Sequence, residues 1–246
     1  MDRANPVHAF ETPHKSGAAG PGGWSETFDP NVSDGAALWE WREDAFVLLD
    51  DARIDGAARL YHSPKEIIVA YEAAEVRPAL EAVRGAVQHG DHAAGFLSYE
   101  AGMAIEPRLS NLCADSADVQ PLLWFGVFGY PERVRVPSPR LHSAPLSLGV
   151  AELVSRRTPY QQAVRAILDL IAAGDCYQVN LSFETQVDLH QHPLDLYLRL
   201  RQSQCGGWSG VLSTGQSLLL SCSPELFFAQ RRSRLWAKPM KGTAIR

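Results

Sequence analysis

The residue best placed for chemistry in this 246-residue chain is Lys241, in the run KPMKGT at residues 238–243. A lysine between the end of an apolar strand and a glycine can lie partly desolvated, which lowers its pKa. Some of the amine is then neutral and can act as a nucleophile or a base. An exposed lysine at the end of a strand is the alternative interpretation, and the residues by themselves do not decide between the two.

A carboxylate and two amides lie upstream of this lysine. Glu225 occurs in SPELFF at residues 223–228, between a proline-fixed bend and an apolar strand. If its side chain faces inward it suits a general acid, and otherwise it is a strand-edge glutamate in water. Gln178 and Asn180 occur in GDCYQVNLS, where their side chains could hold a polar ligand or satisfy the edge of a sheet.

Composition excludes several classes of function. The chain is 46% hydrophobic and 21% charged with a net charge of −5, which is typical of a globular protein without a basic surface for nucleic acid. It has no apolar run long enough to span a bilayer and no secretory signal, so we expect no membrane association and a cytoplasmic location. The cysteines form no CxxC pair, and the HxH at residues 190–192 lacks neighbouring ligands, so no metal site is predicted from spacing.

Hydrophobic periodicity predicts the elements that position these residues. In the first half it predicts one helix and three strands, at residues 76–89, 46–49, 93–99 and 122–130. The clearest helix opens the second half, with Thr158 as its cap, Pro159 at its first position and Gly174 at its end. A strand, a short helix and two hairpins follow, at residues 176–183, 193–202, 208–221 and 226–238.

Consecutive hairpins indicate antiparallel pairing, so the predicted fold class is α+β, with antiparallel β-sheets and flanking helices. Residues 1–40 are rich in Gly, Pro, Ser and Asp and are predicted to be a flexible extension. Prolines between residues 131 and 145 predict a boundary. The predicted regions are therefore 1–40, 41–150 and 151–246.

The segments GDCYQVNLS, SPELFF and KPMKGT occur in the order, and close to the spacing, that is seen in the chorismate-utilising enzymes. The chain resembles this family from about residue 45 onward, and especially the component I subunits of the aminodeoxychorismate (para-aminobenzoate) synthases. Those subunits carry lysine at the position of Lys241, where anthranilate synthases usually carry alanine. The resemblance implies the anthranilate synthase component I-like fold, here the N-terminal half only and incomplete at the C-terminus.

The resemblance also implies a reaction, the amination of chorismate to 4-amino-4-deoxychorismate in para-aminobenzoate and folate biosynthesis. Lys241 would be the catalytic nucleophile at C2 of the ring, and Glu225 would supply acid–base catalysis. The substrate-binding residues would be Thr243, Gly242, Gln178 and Asn180. A glutamine amidotransferase subunit would deliver ammonia.

The implied cofactor is Mg²⁺, and in the family its carboxylate ligands lie beyond the end of this chain. We therefore expect this chain to be an inactive fragment, because a lysine and a glutamate cannot replace several oxygen ligands. Residues 49–51 and 207–209 match a tryptophan pocket of some members but lack its serine and proline, so tryptophan binding is not expected. The alternatives are anthranilate synthase component I, an isochorismate-forming relative and a non-catalytic binding module.

Overall fold

A computed structural model describes residues 33–34, 44–52, 58–112, 120–137, 148–150, 152–153, 157–204 and 207–239 of the chain. The strands in these ranges are β1 (Ser33–Asp34), β2 (Ala45–Asp50), β3 (Ala58–His62), β4 (Glu66–Ala70), β5 (His92–Leu97), β6 (Leu123–Phe128), β7 (Glu132–Arg135), β8 (Glu152–Leu153), β9 (Thr185–Gln186), β10 (Trp208–Thr214), β11 (Leu218–Ser223), β12 (Leu226–Arg231) and β13 (Arg234–Lys238). The α-helices are α1 (Ala73–Gln88), α2 (Ala101–Ile105), α3 (Arg157–Ala173) and α4 (Pro193–Gln204). Within the described ranges, none of the helices has the length and apolar character needed to cross a membrane.

The chain divides into two compact units. The first comprises residues 1–139 and 197–246, and the second comprises residues 140–196. The predicted division into 41–150 and 151–246 differs from this one, because β10 pairs with β2 and β11 pairs with β10, so that both belong to the same sheet as β2. Sequence periodicity locates strands but does not identify the strands with which they pair.

The first unit contains a six-stranded sheet in the order β1-β7-β3-β2-β10-β11 and a three-stranded sheet in the order β4-β6-β5. Each pairing in these two sheets is antiparallel except that of β1 with β7, which is parallel. The described part of the chain therefore combines helices with antiparallel sheets, as predicted. Residues 33–34, inside the stretch predicted to be a flexible extension, form β1, and the rest of residues 1–40 lies outside the described residues.

Two apolar cores hold the first unit together. One lies between α1, α2 and the three-stranded sheet, and includes Val76, Leu123 and Val127. The other includes Val47 and Leu212 of the six-stranded sheet and Trp124 of the three-stranded sheet. The three-stranded sheet is therefore covered on both faces, which accounts for the nearly continuous apolar sequence of β6, LWFGVF.

Helix α1 confirms the helix predicted over residues 76–89. The Glu75 carboxylate accepts hydrogen bonds from the backbone N–H groups of Tyr71 and Glu72, at 2.9 and 3.1 Å. These bonds lower the pKa of Glu75, with the Glu72 contact the larger cause. They satisfy backbone donors at the start of the helix that have no partner within it.

Glu75→Ala is expected to lower the stability of the protein more at pH 7 than at pH 3. Because the pKa of Glu75 is lower in the folded than in the unfolded state, its stabilising contribution is complete above the unfolded pKa and is lost as the pH falls through the folded pKa. Urea unfolding midpoints of both proteins at the two pH values measure this. Equal differences at pH 7 and pH 3 would contradict the role of the charged carboxylate.

Both predicted hairpins are confirmed. Strands β10 and β11 pair from Trp208 opposite Ser223 to Ser213 opposite Leu218, and Gly215 takes a φ of 86° in their turn. Strands β12 and β13 pair separately as a two-stranded sheet. Their turn places Arg232 at a φ of 54°.

In the second unit, α3 confirms the predicted helix and its end. Gly174 has a φ of 86°, its N–H donates to the Ile171 carbonyl at 3.2 Å, and the Asp175 N–H donates to the Leu170 carbonyl at 3.0 Å. This is the bonding pattern of a glycine-terminated helix. The helix begins at Arg157, so Thr158 and Pro159 lie in its first turn.

The strand predicted over residues 176–183 is not present in the structure. The nearby strand is β9, which pairs with β8. A strand is defined by backbone pairing, and no described segment pairs with residues 178–183.

Candidate functional site

Glu225 lies on the surface, at the residue that precedes β12. Its backbone is fixed by Ser223, whose hydroxyl accepts a hydrogen bond from the Glu225 N–H at 3.2 Å and donates to the Glu225 carbonyl at 3.1 Å. The inward-facing, buried alternative is therefore wrong for the described chain. Phe227 and Phe228 are exposed as well, and among the described strands β12 pairs with β13 alone, so no described element covers this part of the hairpin.

Gln178 and Asn180 are exposed in the second unit, whereas Glu225 belongs to the first. Both amides follow α3 in the segment that has no strand partner. The predicted residues Lys241, Gly242 and Thr243 lie outside the described residues. The structure therefore gives the positions of three of the six predicted site residues, each on the surface of its own unit.

A cavity of about 690 Å³ lies in the first unit. Strands β2, β10 and β11 supply much of its lining, and Phe96 of β5 and Phe228 of β12 contribute rings. Asp50 and Ser209 are among its few polar residues. A mainly apolar cavity of this size with a small number of polar groups is suited to a small molecule.

The two sequence stretches at residues 49–51 and 207–209 meet at this cavity. Ser209 of β10 pairs directly with Asp50 of β2. Asp50 and Asp51 are both 1% exposed, so the end of β2 carries two buried carboxylates. The prediction that these stretches belong to one site is consistent with the register of the sheet.

Helix α4 provides the partners of Asp50. Tyr197 donates its phenol hydrogen bond to Asp50 Oδ2 at 2.8 Å. Arg201 contacts both carboxylate oxygens, from Nε to Oδ2 at 2.5 Å and from Nη2 to Oδ1 at 3.3 Å. Because Tyr197 and Arg201 are one helical turn apart, a single face of α4 clamps the end of β2. Charge-assisted bonds in this forked geometry are among the strongest in proteins.

Burial and the Asp50 carboxylate keep the neighbouring Tyr197 phenol and Cys222 thiol neutral. Burial, followed by the nearby Asp50 carboxylate, raises the pKa of the Tyr197 phenol, so that Tyr197 remains a donor. Burial also raises the pKa of the Cys222 thiol, while the adjacent Ser209 hydroxyl opposes this shift. The Ser209 hydroxyl lies beside that thiol but forms no hydrogen bond of normal geometry to a described group. Cys222 is therefore a structural thiol at neutral pH rather than a reactive thiolate.

Gly95 of β5 allows a close approach to the backbone of the neighbouring strand β6. A Cβ at this position would lie 2.0 Å from the Trp124 carbonyl oxygen and 2.7 Å from the Phe125 Cα. Gly95→Ala is expected to destabilise the first unit by about 1–3 kcal/mol through overpacking. Thermal unfolding measures this loss of stability. Gly85→Ala is the control, because nothing lies within 4 Å of a Cβ at position 85. Equal stabilities of the two variants would contradict the close approach.

No three His, Cys, Asp or Glu side chains in the described residues come close enough together to hold one metal ion by themselves. Mg²⁺ needs oxygen ligands in octahedral geometry, usually one or two carboxylates with substrate and water.

Sequence reasoning missed Tyr197 and Arg201. Their spacing on α4 and the two acidic residues at the end of an apolar strand were visible signals. What the sequence lacked was the pairing itself, since Arg201 and Asp50 are 151 positions apart.

The comparison with protein families matches the description "chorismate binding enzyme" over residues 36–246. The anthranilate synthase component 1 of Thermus thermophilus is 39% identical over 90 residues, which are 37% of this chain and 20% of that protein. The aminodeoxychorismate synthase component 1 of Bacillus subtilis is 34% identical over 87 residues, which are 35% and 18% of the two chains. The aminodeoxychorismate synthase component 1 of Escherichia coli is 32% identical over 90 residues, which are 37% of this chain and 20% of that protein.

These alignments span about a fifth of the length of the curated relatives. The family match is much longer, and it contains the three motifs that carry the resemblance. Because the match extends from residue 36 to residue 246, this chain belongs to the chorismate-binding enzyme family.

Proposed function

We propose that this protein serves the amination of chorismate to 4-amino-4-deoxychorismate, with ammonia from a glutamine amidotransferase subunit, in the cytoplasm. Membership of the chorismate-binding family supports chorismate as the substrate. The single observation that carries the choice of product is the lysine at position 241, in KPMKGT. The amidotransferase partner is supported by the relatives, which are named component 1.

The register of the β12–β13 hairpin supports a joint role for Glu225 and Lys241. Leu226 pairs with Lys238, so Glu225 lies at the end of the hairpin where β13 finishes. Three peptide units separate Lys238 from Lys241, and they span at most about 11 Å. A carboxylate and an amine within this reach can act on the same small ring.

The proposed reaction proceeds in two displacements. The neutral Lys241 amine forms a bond to C2 of chorismate, the ring double bonds shift, and the C4–O bond breaks. Glu225 protonates the departing C4 hydroxyl, which leaves as water. Ammonia then forms a bond to C4, the double bonds shift back, and the C2–N bond to Lys241 breaks. The net change replaces the C4 hydroxyl by an amino group, and covalent catalysis divides one difficult step into two.

Other residues would hold the substrate. Gln178 and Asn180 are exposed and can donate and accept hydrogen bonds, and we propose that they bind chorismate together with Gly242 and Thr243. We assign Mg²⁺ to carboxylates outside the described residues, where it would neutralise the carboxylates of the substrate.

Anthranilate synthase component 1 is the second candidate. The observation that favours it is the 39% identity to the Thermus protein, against 34% to the Bacillus protein. A difference of this size over about 90 residues does not separate two branches of one family. The lysine at position 241 favours amination at C4 instead.

The test is to supply chorismate, ammonia and Mg²⁺ to the purified chain and to identify the products by chromatography. We expect no turnover by the chain alone, and 4-amino-4-deoxychorismate when a second half of a relative completes the domain.

Turnover by the chain alone would refute its inactivity as a fragment. Anthranilate or isochorismate as the product of the completed domain would refute the proposed reaction. Capture of the glutaminase subunit with no turnover in any mixture would favour a non-catalytic binding module.

A further inference from the structure

A second cavity, of about 200 Å³, lies in the first unit between the three-stranded sheet and the turn of the β10–β11 hairpin. Three aromatic residues line it: Trp124 of β6, Phe96 of β5 and Tyr71, which directly follows β4. Phe96 and Trp124 are cross-strand partners, so their rings lie on the same face of the sheet. The hairpin supplies Gln216 and Ser217. The cavity therefore combines aromatic walls with polar groups on its hairpin side.

Trp124 carries a hydrogen-bond donor that the described part of the chain does not satisfy. Its side chain is almost fully buried, since Trp124 is 3% exposed, yet its indole N–H forms no hydrogen bond with a described residue. A buried indole N–H normally has a partner, and leaving it without one costs free energy. The phenol of Tyr71 and the side-chain amide of Gln216 also form no hydrogen bond with a described residue. A ligand with an acceptor can therefore satisfy the buried donor, and Tyr71, 56% exposed, can contact it from the solvent side.

The described residues that line this cavity include no charged side chain. Burying an unpaired charge in such a site costs far more free energy than burying a neutral polar group. The larger cavity differs in this respect, because the Asp50 carboxylate lies in its wall. An anion such as chorismate is therefore disfavoured in the cavity beside Trp124, and an uncharged molecule is favoured.

The volume of this cavity fits a single aromatic ring. An apolar protein cavity of about 150 Å³ accommodates benzene, so a volume of about 200 Å³ leaves room for one small substituent. Aromatic ligands make offset or edge-to-face contacts with aromatic side chains, which the three rings of the wall provide. We propose that this cavity binds an uncharged, single-ring aromatic molecule whose carbonyl group accepts a hydrogen bond from the Trp124 indole N–H.

The experiment is a nuclear magnetic resonance titration of the full 246-residue chain, isotope-labelled and with its indole signals assigned. The probe is benzamide, with benzoate as its charged counterpart and cyclohexanecarboxamide as its non-aromatic counterpart. We expect benzamide to shift the Trp124 indole N–H signal saturably, and each counterpart to bind at least about tenfold more weakly. Tyr71→Ala should weaken the binding of benzamide at least about threefold. Tyr99→Ala is the control and should leave it unchanged, because Tyr99 is 85% exposed and is not among the described residues of either cavity.

An unchanged Trp124 indole signal in the presence of benzamide overturns the proposal. Phe96 and Leu219 line both cavities, so the indole of Trp208 serves as the reporter of the larger one. A shift confined to Trp208 places benzamide in the larger cavity and also overturns the proposal.

The counterparts and variants supply the remaining outcomes. Equal binding of benzoate excludes selection for an uncharged ligand, equal binding of cyclohexanecarboxamide excludes selection for an aromatic ring, and either result overturns the proposal. Equal affinity of the Tyr71→Ala and Tyr99→Ala variants places the ligand away from Tyr71 and overturns it as well. None of these measurements depends on chorismate turnover, so the proposed function and this binding site can fail separately.

Discussion

Replacing Arg201 by methionine should destabilise the protein by about 3–5 kcal/mol, the range found when one partner of a buried ion pair is removed. The Asp50 side chain is 1% exposed and that of Arg201 is 17% exposed, so solvent cannot replace the lost guanidinium. The hydrogen bond from Tyr197 remains, but it satisfies only one carboxylate oxygen. For a chain of this size, the change corresponds to a fall in melting temperature of about 10 °C. Thermal and urea unfolding of the Arg201→Met variant measure this loss of stability.

Arg84→Met is the matched control for this prediction. Arg84 and Glu81 form an exposed ion pair at 3.5 Å on α1, and removal of such a pair costs less than about 1 kcal/mol. Asp50→Asn in the Arg201→Met background should recover part of the lost stability, because it removes the unpaired charge. If Arg201→Met is no more destabilising than Arg84→Met, the clamp between α4 and β2 does not contribute to stability.

The elements that the sequence predicted well are those determined by neighbours in the chain. The end of α3 depends on Gly174 and on carbonyls within the preceding turn, and the β10–β11 hairpin depends on Gly215 at a positive φ. Periodicity and turn chemistry are local properties, so both were visible. The β12–β13 hairpin was predicted for the same reason.

The features that the sequence did not predict depend on distant partners. Strand β3 was missed, although its Leu60 lies opposite Leu48 of β2 in the centre of the sheet. The prediction for residues 178–183 has the opposite error, because these residues have the sequence pattern of a strand but no described strand pairs with them. Pattern specifies which face of a strand is apolar, whereas pairing is decided by tertiary structure.

At the candidate site, too, the sequence did not predict features that depend on distant parts of the chain. The motifs identified Glu225, Gln178 and Asn180 as chemically suitable residues, and the structure places all three at the surface. Burial depends on what packs over a residue, and a motif contains no such information. The buried cluster around Asp50 was missed because its members come from β2, α4, β10 and β11, which are far apart in the chain.

Lys241→Ala should lower the formation of 4-amino-4-deoxychorismate at least about 10³-fold, equivalent to about 4 kcal/mol of transition-state stabilisation. The lysine is proposed to form the bond to C2 of the ring, and alanine has no group that can form it. The rate is measured in the mixture of this chain with a second half that turns over chorismate. The loss should fall on kcat with little change in KM, because the bond forms after the substrate has bound.

Lys238→Ala provides the control, since it removes the same charge three positions earlier, from the exposed end of β13. We expect it to leave the rate within about threefold, because an exposed lysine outside the reacting groups contributes little to a desolvated site. Glu225→Gln should lower the rate by about 10²–10⁴-fold, the usual contribution of a general acid. A Lys241→Ala variant as active as Lys238→Ala would exclude covalent catalysis by this lysine. Loss of activity in Lys241→Ala with an unchanged rate in Glu225→Gln would instead assign the protonation of the leaving hydroxyl to another group.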